Sequence, residues 1–196
     1  MDEATLIAAF RLLDDFLTAG NSAPVWLVVG GGSALLVQRL STRQTRDVDV
    51  MALRECEGNV VSAYPLPEAV KQAAARVAGE LRLDQDWLNG ATSLHGFDLS
   101  LLPAWFWQEL DTREYGGNLK ISFIGRRGLI LLKLAAALDR DQRRDLEDLV
   151  SLRATAPETE ECLRWVLTNL HEATTHPKLP TLLREIGHAD LVPRFP

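Results

Sequence analysis

Cysteine is scarce in this chain: Cys56 and Cys162 are the only two among 196 residues. They lie far apart and show neither metal nor redox spacing, which excludes a disulfide framework and predicts a reducing compartment. No apolar stretch approaches the roughly 20 residues that a membrane-spanning helix needs. The opening Met1-Asp2-Glu3 is acidic and lacks an apolar h-region, so no secretory signal is expected and the cytoplasm is the predicted compartment. Positive charge is in deficit, with 21 Lys and Arg against 27 Asp and Glu and a net charge of −6. That balance argues against a protein coated for nucleic acid. Internal repeats and low-complexity segments are missing too. So are two familiar phosphate-binding fingerprints: a dinucleotide turn starting at Gly30 would need glycine where Leu35 stands, and no Gly-Lys-Ser/Thr follows a glycine run.

What the chain does have is enough apolar content, 46%, to bury a core in one or two domains. Val25-Trp26-Leu27-Val28-Val29 reads as a buried strand. It runs into Gly30-Gly31-Gly32, and Ala34 to Leu40 then reads as a helix opened by Ser33 as N-cap. Glycine lets backbone approach a ligand, and a helix start offers unpaired N–H groups to phosphate. The next strand begins Asp47-Val48-Asp49-Val50. Side chains two apart on a strand share a face, so Asp47 and Asp49 can aim two carboxylates at one spot while Val48 and Val50 enter a core. Two such charges repel unless a cation neutralises them. Mg²⁺ suits hard carboxylate oxygens, taking one or two of them and filling its remaining positions with water and substrate phosphate. A solvated face on an edge strand is the competing interpretation of the same two acids.

Gly32-Ser33, thirteen further residues and Asp47-Val48-Asp49 together resemble the signature of the polymerase-β-like nucleotidyltransferase superfamily. Within it the chain is most similar to small bacterial AbiEii-type toxins of toxin–antitoxin pairs. The resemblance is strongest over residues 25 to 53 and returns over 126 to 150. It implies that Gly31, Gly32 and Ser33 hold an incoming NTP, that Asp47 and Asp49 hold Mg²⁺, and that NMP passes to an RNA (tRNA) or protein acceptor. A cognate toxin or antitoxin is an implied partner. Such enzymes commonly carry a third carboxylate on a neighbouring strand. Asp98, on a strand expected over 97 to 101, is the candidate; Asp84 and Asp86 lie in a polar segment and suit the role less well. Without a third acid, a non-catalytic nucleotide-binding or antitoxin module on the same scaffold is the alternative.

In the second stretch, Gly128 to Leu138 is an apolar helical run carrying one charge, Lys133. Helix resumes at Asp145 to Leu152 with Leu146, Leu149 and Leu152 on one stripe. A helical hairpin turning near 140 would set Lys133 opposite Asp148, with Asp145 one turn away. A lysine in so apolar a run must snorkel, neutralise or pair. A helix-pair salt bridge satisfies that need. So does a point charge on the triphosphate oriented by Asp148, which the resemblance implies and which is favoured here. Arg126, Arg127, Arg140, Arg143 and Arg144 flank this helix, and Arg39, Arg43 and Arg46 lie near the acid pair. They can form a positive rim for RNA or pair locally with neighbouring acids.

Elsewhere, residues 3–19 form an amphipathic helix stopped by Gly20, 54–65 read as a loop, and Pro67 opens a helix to about Leu81. Residues 84–118, with Trp87, Trp105, Phe106 and Trp107, resist assignment; core packing is preferred there over base stacking. Leu119 to Ile124 alternates as a strand, and helices follow from Pro157 and Pro180. The expected fold is α/β (α+β). A small mixed sheet of nucleotidyltransferase type occupies residues 1–125, and a mainly helical portion occupies 126–196, with its first two helices bringing Lys133 and Asp148 to the mouth of the sheet site.

Overall fold

The computed structural model describes residues 1–55, 58–90, 99–140, 143–171 and 174–195. They divide into two compact units, Met1–Gly125 and Arg126–Pro196. The fold is mixed α/β, with a six-stranded mixed sheet in the first unit. Among the described residues no helix is long and apolar enough to cross a membrane.

In the first unit, α1 (Glu3–Ala19) starts at Asp2, whose carboxylate accepts from Thr5 N–H, and ends at Gly20. Its buried stripe is Leu6, Phe10, Leu13 and Leu17. Strand β1 (Val25–Val29) is followed by α2 (Gly31–Val37), β2 (Val48–Arg54), β3 (Val60–Ser62), α3 (Glu68–Leu81) and β4 (Leu88–Gly90). A short helix α4 (Ala104–Gln108), β5 (Leu110–Glu114) and β6 (Leu119–Ile124) complete it. The strand order is β3-β2-β1-β6-β5, with β4 also pairing β2. Thus β1 is central, antiparallel to β2 and parallel to β6. An all-apolar sequence fits a strand enclosed on both sides. One sheet face packs beneath α1, where the Phe10 ring lies 6.1 Å from Phe123. Trp87 is fully buried beside Phe10, and its indole N–H donates to Ala74 O at 2.9 Å.

The register of β1 on β2 contains one irregularity. Leu27 faces Leu53 and Val28 faces Ala52, but Val29 faces Val50, so Met51 is an extra residue. Such a bulge resets the alternation of side chains along the strand. Asp49 and Arg54 are five apart and would point to opposite faces of a regular strand; the bulge returns both to the face away from α1. A Cβ at Gly30 would meet Met51 Sδ at 3.0 Å and Ile124 Cδ1 at 3.1 Å, which marks the same face on β6 through Ile124, Ser122 and Lys120.

Several local expectations change. The helix after the glycines begins at Gly31, with Gly30 as N-cap, so Ser33 lies inside it. It stops at Val37 rather than Leu40, because Arg39 turns left-handed at φ +58. A short strand, β3, forms within the stretch expected as loop. Leu99–Leu101 is a 3₁₀ turn rather than a strand end, while Phe97 and Asp98 lie outside the described residues.

The second unit comprises α5 (Arg126–Asp139), α6 (Arg143–Leu152), α7 (Ala156–Leu170) and α8 (Leu179–Glu185), then a 3₁₀ segment over Ala189–Arg194. Thr155 and Glu158 close α7 with a capping box, and Pro157 sits in its first turn.

Candidate functional site

β1 delivers the chain to Gly30, whose N–H donates to Asp49 O at 3.0 Å. Gly31 then adopts φ +63, a left-handed conformation that costs glycine no Cβ clash. Space demands glycine there as well, since an added Cβ would lie 2.3 Å from Asp49 Oδ2. The turn and this carboxylate are therefore in direct contact. On the other flank, a Cβ at Gly32 would lie 3.0 Å from Thr45 Oγ1 and 3.7 Å from Arg43 Nη2. The paired Gly31-Gly32 backbone thus has an acid on one side and a guanidinium on the other.

The segment before β2 is held firmly. Thr45 is 4% exposed, and its hydroxyl donates to Asp47 O at 2.9 Å. Thr45 N–H donates to Met1 O at 3.0 Å, and the Met1 ammonium donates back to Thr45 O. These bonds fix the backbone that carries Asp47, one residue ahead of β2. Asp47 and Asp49 are half-buried and alternate with the buried Val48 and Val50. Thr45 and the approach of Arg43 to Gly32 have no signal in the sequence, because Gln44 and Arg46 between and beyond them are polar as well and strand alternation starts only at Val48.

Ser33 lies differently from its expected role. It is 0% exposed, and its hydroxyl donates to Gly30 O at 3.0 Å. It closes the turn from within, leaving the outer surface of the turn to backbone.

Among the described residues no three His, Cys, Asp or Glu side chains gather into a metal cluster. Asp98, the candidate third acid, falls outside those residues. The donor set still suits Mg²⁺, which is commonly held by one or two carboxylates with phosphate and water completing an octahedron. At Gly31 the missing side chain lets Asp49 Oδ2 lie against the backbone itself, where an added Cβ would strike it at 2.3 Å.

In the second unit, Lys133 is 8% exposed. Its ammonium lies 2.9 Å from Asp145 Oδ1 and 2.7 Å from Asp148 Oδ2, both carboxylates being 1% exposed. Arg140 Nε reaches the other oxygen of Asp145 at 3.0 Å. Burial alone would raise the pKa of Asp145, but the hydrogen bonds and charges of Lys133 and Arg140 outweigh it and leave the group below its usual value. Two cations face two acids, so the charge of Lys133 is balanced locally.

The arginines named as a rim mostly pair with nearby acids. Arg39 meets Glu3, Arg127 meets Glu161 and Arg143 meets Glu147. Arg126 donates to Leu152 O, Arg153 O and Glu158, capping the carbonyl end of α6. The Arg126 guanidinium, with Thr155, holds Glu158 down at a pKa of about 2.

No family model, curated protein or solved structure matches this chain.

Proposed function

We propose that the chain is a Mg²⁺-dependent nucleotidyltransferase that moves NMP from an NTP to a hydroxyl of an RNA, such as tRNA, or of a protein acceptor, with pyrophosphate leaving. The observation that carries this reading is the contact of the Asp49 carboxylate with the Gly31 turn. It would bring an acid-held cation and a backbone-held phosphate to one point. Asp47 and Asp49 would hold the ion, which when bound neutralises phosphate charge and activates an acceptor hydroxyl. The N–H groups of Gly31 and Gly32 would receive phosphate oxygens, with Arg43 supplying positive charge beside them. The resemblance to AbiEii-type toxins extends the proposal to the toxin half of a toxin–antitoxin pair working in the cytoplasm.

A second reading, a nucleotide-binding or antitoxin module without catalysis, draws on the Ser33 hydroxyl being committed to Gly30 O. A transfer assay separates the two. Each α-³²P-labelled NTP is incubated with Mg²⁺ and total RNA or cell lysate, using wild type and Asp47→Asn/Asp49→Asn. Label transferred by wild type alone supports the enzyme. Calorimetric NTP binding without transfer supports the module, and equal transfer by both proteins defeats the enzyme reading.

A further inference from the structure

On the sheet face that carries Asp49, at the opposite end of the strands, a second group of side chains converges. The Trp26 indole N–H donates to Ser122 Oγ at 2.7 Å, and Ser122 Oγ lies 2.7 Å from Thr112 Oγ1. These bonds tie the Trp26 ring of β1 to β6 through Ser122 and on to β5 through Thr112. The Arg54 guanidinium lies over the indole, 4.7 Å from its centroid, and Lys120 Nζ stands at 5.7 Å. Arg54 has no acid partner among the described residues, and its Nε is buried without an acceptor. Lys120 is bridged to Glu114 at 2.7 Å but keeps 47% of its side chain exposed.

A rigid aromatic with cations beside it matches the chemistry that binds unpaired nucleotides. Bases stack on indole or guanidinium planes, and cations receive the phosphates. Arg54 is five residues from Asp49 along β2, about 15 Å at the usual strand rise. That spacing corresponds to several nucleotides stacked at about 3.4 Å each.

We propose that Trp26, Arg54 and Lys120 form a stacking station for one unpaired nucleotide of a single-stranded RNA acceptor. The base lies on the Trp26–Arg54 stack, and a neighbouring phosphate is held by Arg54 and Lys120. This assignment rests on the transferase reading for the purpose of the RNA, but the station can be tested without catalysis.

The test is fluorescence anisotropy of a labelled short oligouridine, without Mg²⁺ or NTP, compared with an RNA duplex of equal length. Wild type is expected to prefer the single strand. Trp26→Leu should weaken binding about tenfold or more. Arg54→Gln should weaken it and lower the log–log salt slope by about 0.7. Glu114→Gln, which removes the acid competing for Lys120, should tighten it. Should Trp26→Leu fail to fold, Arg54→Gln and Glu114→Gln still decide the matter, because both leave the Trp26–Ser122–Thr112 chain in place. No binding by wild type, equal binding of duplex, or Arg54→Gln and Glu114→Gln behaving as wild type overturns the station. None of those results touches NTP binding at Asp47 and Asp49, so the two readings fail separately.

Discussion

Replacing Gly31 by alanine should harm the protein in two separable ways. The first is conformational: Gly31 sits at φ +63, and an L-residue in that region costs about 1–2 kcal/mol. The second is a collision, since the new Cβ would lie 2.3 Å from Asp49 Oδ2, well inside contact distance. Relieving it requires Asp49 to leave its rotamer or the turn to move, an overpacking cost of about 1–3 kcal/mol. Gly31→Ala should therefore lose about 2–5 kcal/mol in all. Gly58→Ala isolates the first effect, because Gly58 has φ +84 and its added Cβ would meet nothing within 4 Å. Asp49→Ala isolates the second: with the carboxylate gone, the nearest remaining Asp49 atom is its Cβ at 3.5 Å, an ordinary contact. In that background Gly31→Ala should cost only what Gly58→Ala costs. A double-mutant cycle read by urea unfolding, with m-values checked for constancy, then gives a coupling of about 1–3 kcal/mol. A coupling near zero would refute the placement of the carboxylate against the turn.

Lys133→Met should cost about 3–5 kcal/mol, because it takes the ammonium away from the buried Asp148 and leaves Asp145 with Arg140; a loss below 1 kcal/mol in urea unfolding would deny the buried network. Acid stability follows from depressed pKa values. Glu158, lowered from 4.5 to about 2, adds stability that is fully present above pH 4.5 and lost as pH falls towards 2. Glu158→Gln should be less stable at neutral pH and lose less over that window, and an unchanged acid limb would contradict the Arg126 pairing. Arg43→Gln should weaken NTP binding in calorimetry, since it removes the guanidinium beside Gly32; unaltered affinity would remove Arg43 from the site.

The glycine turn and the acid pair were readable because their signals are local. An apolar run ending in glycines marks a strand and its exit, and period-two alternation of Asp with Val marks one face against another. Ser33 was misplaced because a hydroxyl ahead of an apolar helix looks the same at the N-cap or two residues inside it. The left-handed turn at Gly31 decides between them, and three consecutive glycines conceal which one turns. The bulge at Met51 is invisible for a different reason: it exists only in the pairing of β2 with β1. Yet it brings Arg54 and Trp26 onto the face that carries Asp49. Residues 84–118 resisted assignment because their elements are short. Strand β5 reads Leu-Asp-Thr-Arg-Glu, with no apolar alternation to announce it. Lys133 could be recognised as needing a partner from its apolar surroundings, and the helical-hairpin reading named Asp148 and Asp145 for it, as the ion pairs show; that Arg140 takes the other oxygen of Asp145 emerges only from the fold.

The most direct measurement is a crystal structure obtained with Mn²⁺ in place of Mg²⁺ and a non-hydrolysable NTP analogue, with diffraction recorded at the manganese edge. The account predicts an anomalous peak bonded by both Asp47 and Asp49, with phosphate oxygens on the N–H groups of Gly31 and Gly32. A metal peak elsewhere, or nucleotide density away from that turn, would contradict it.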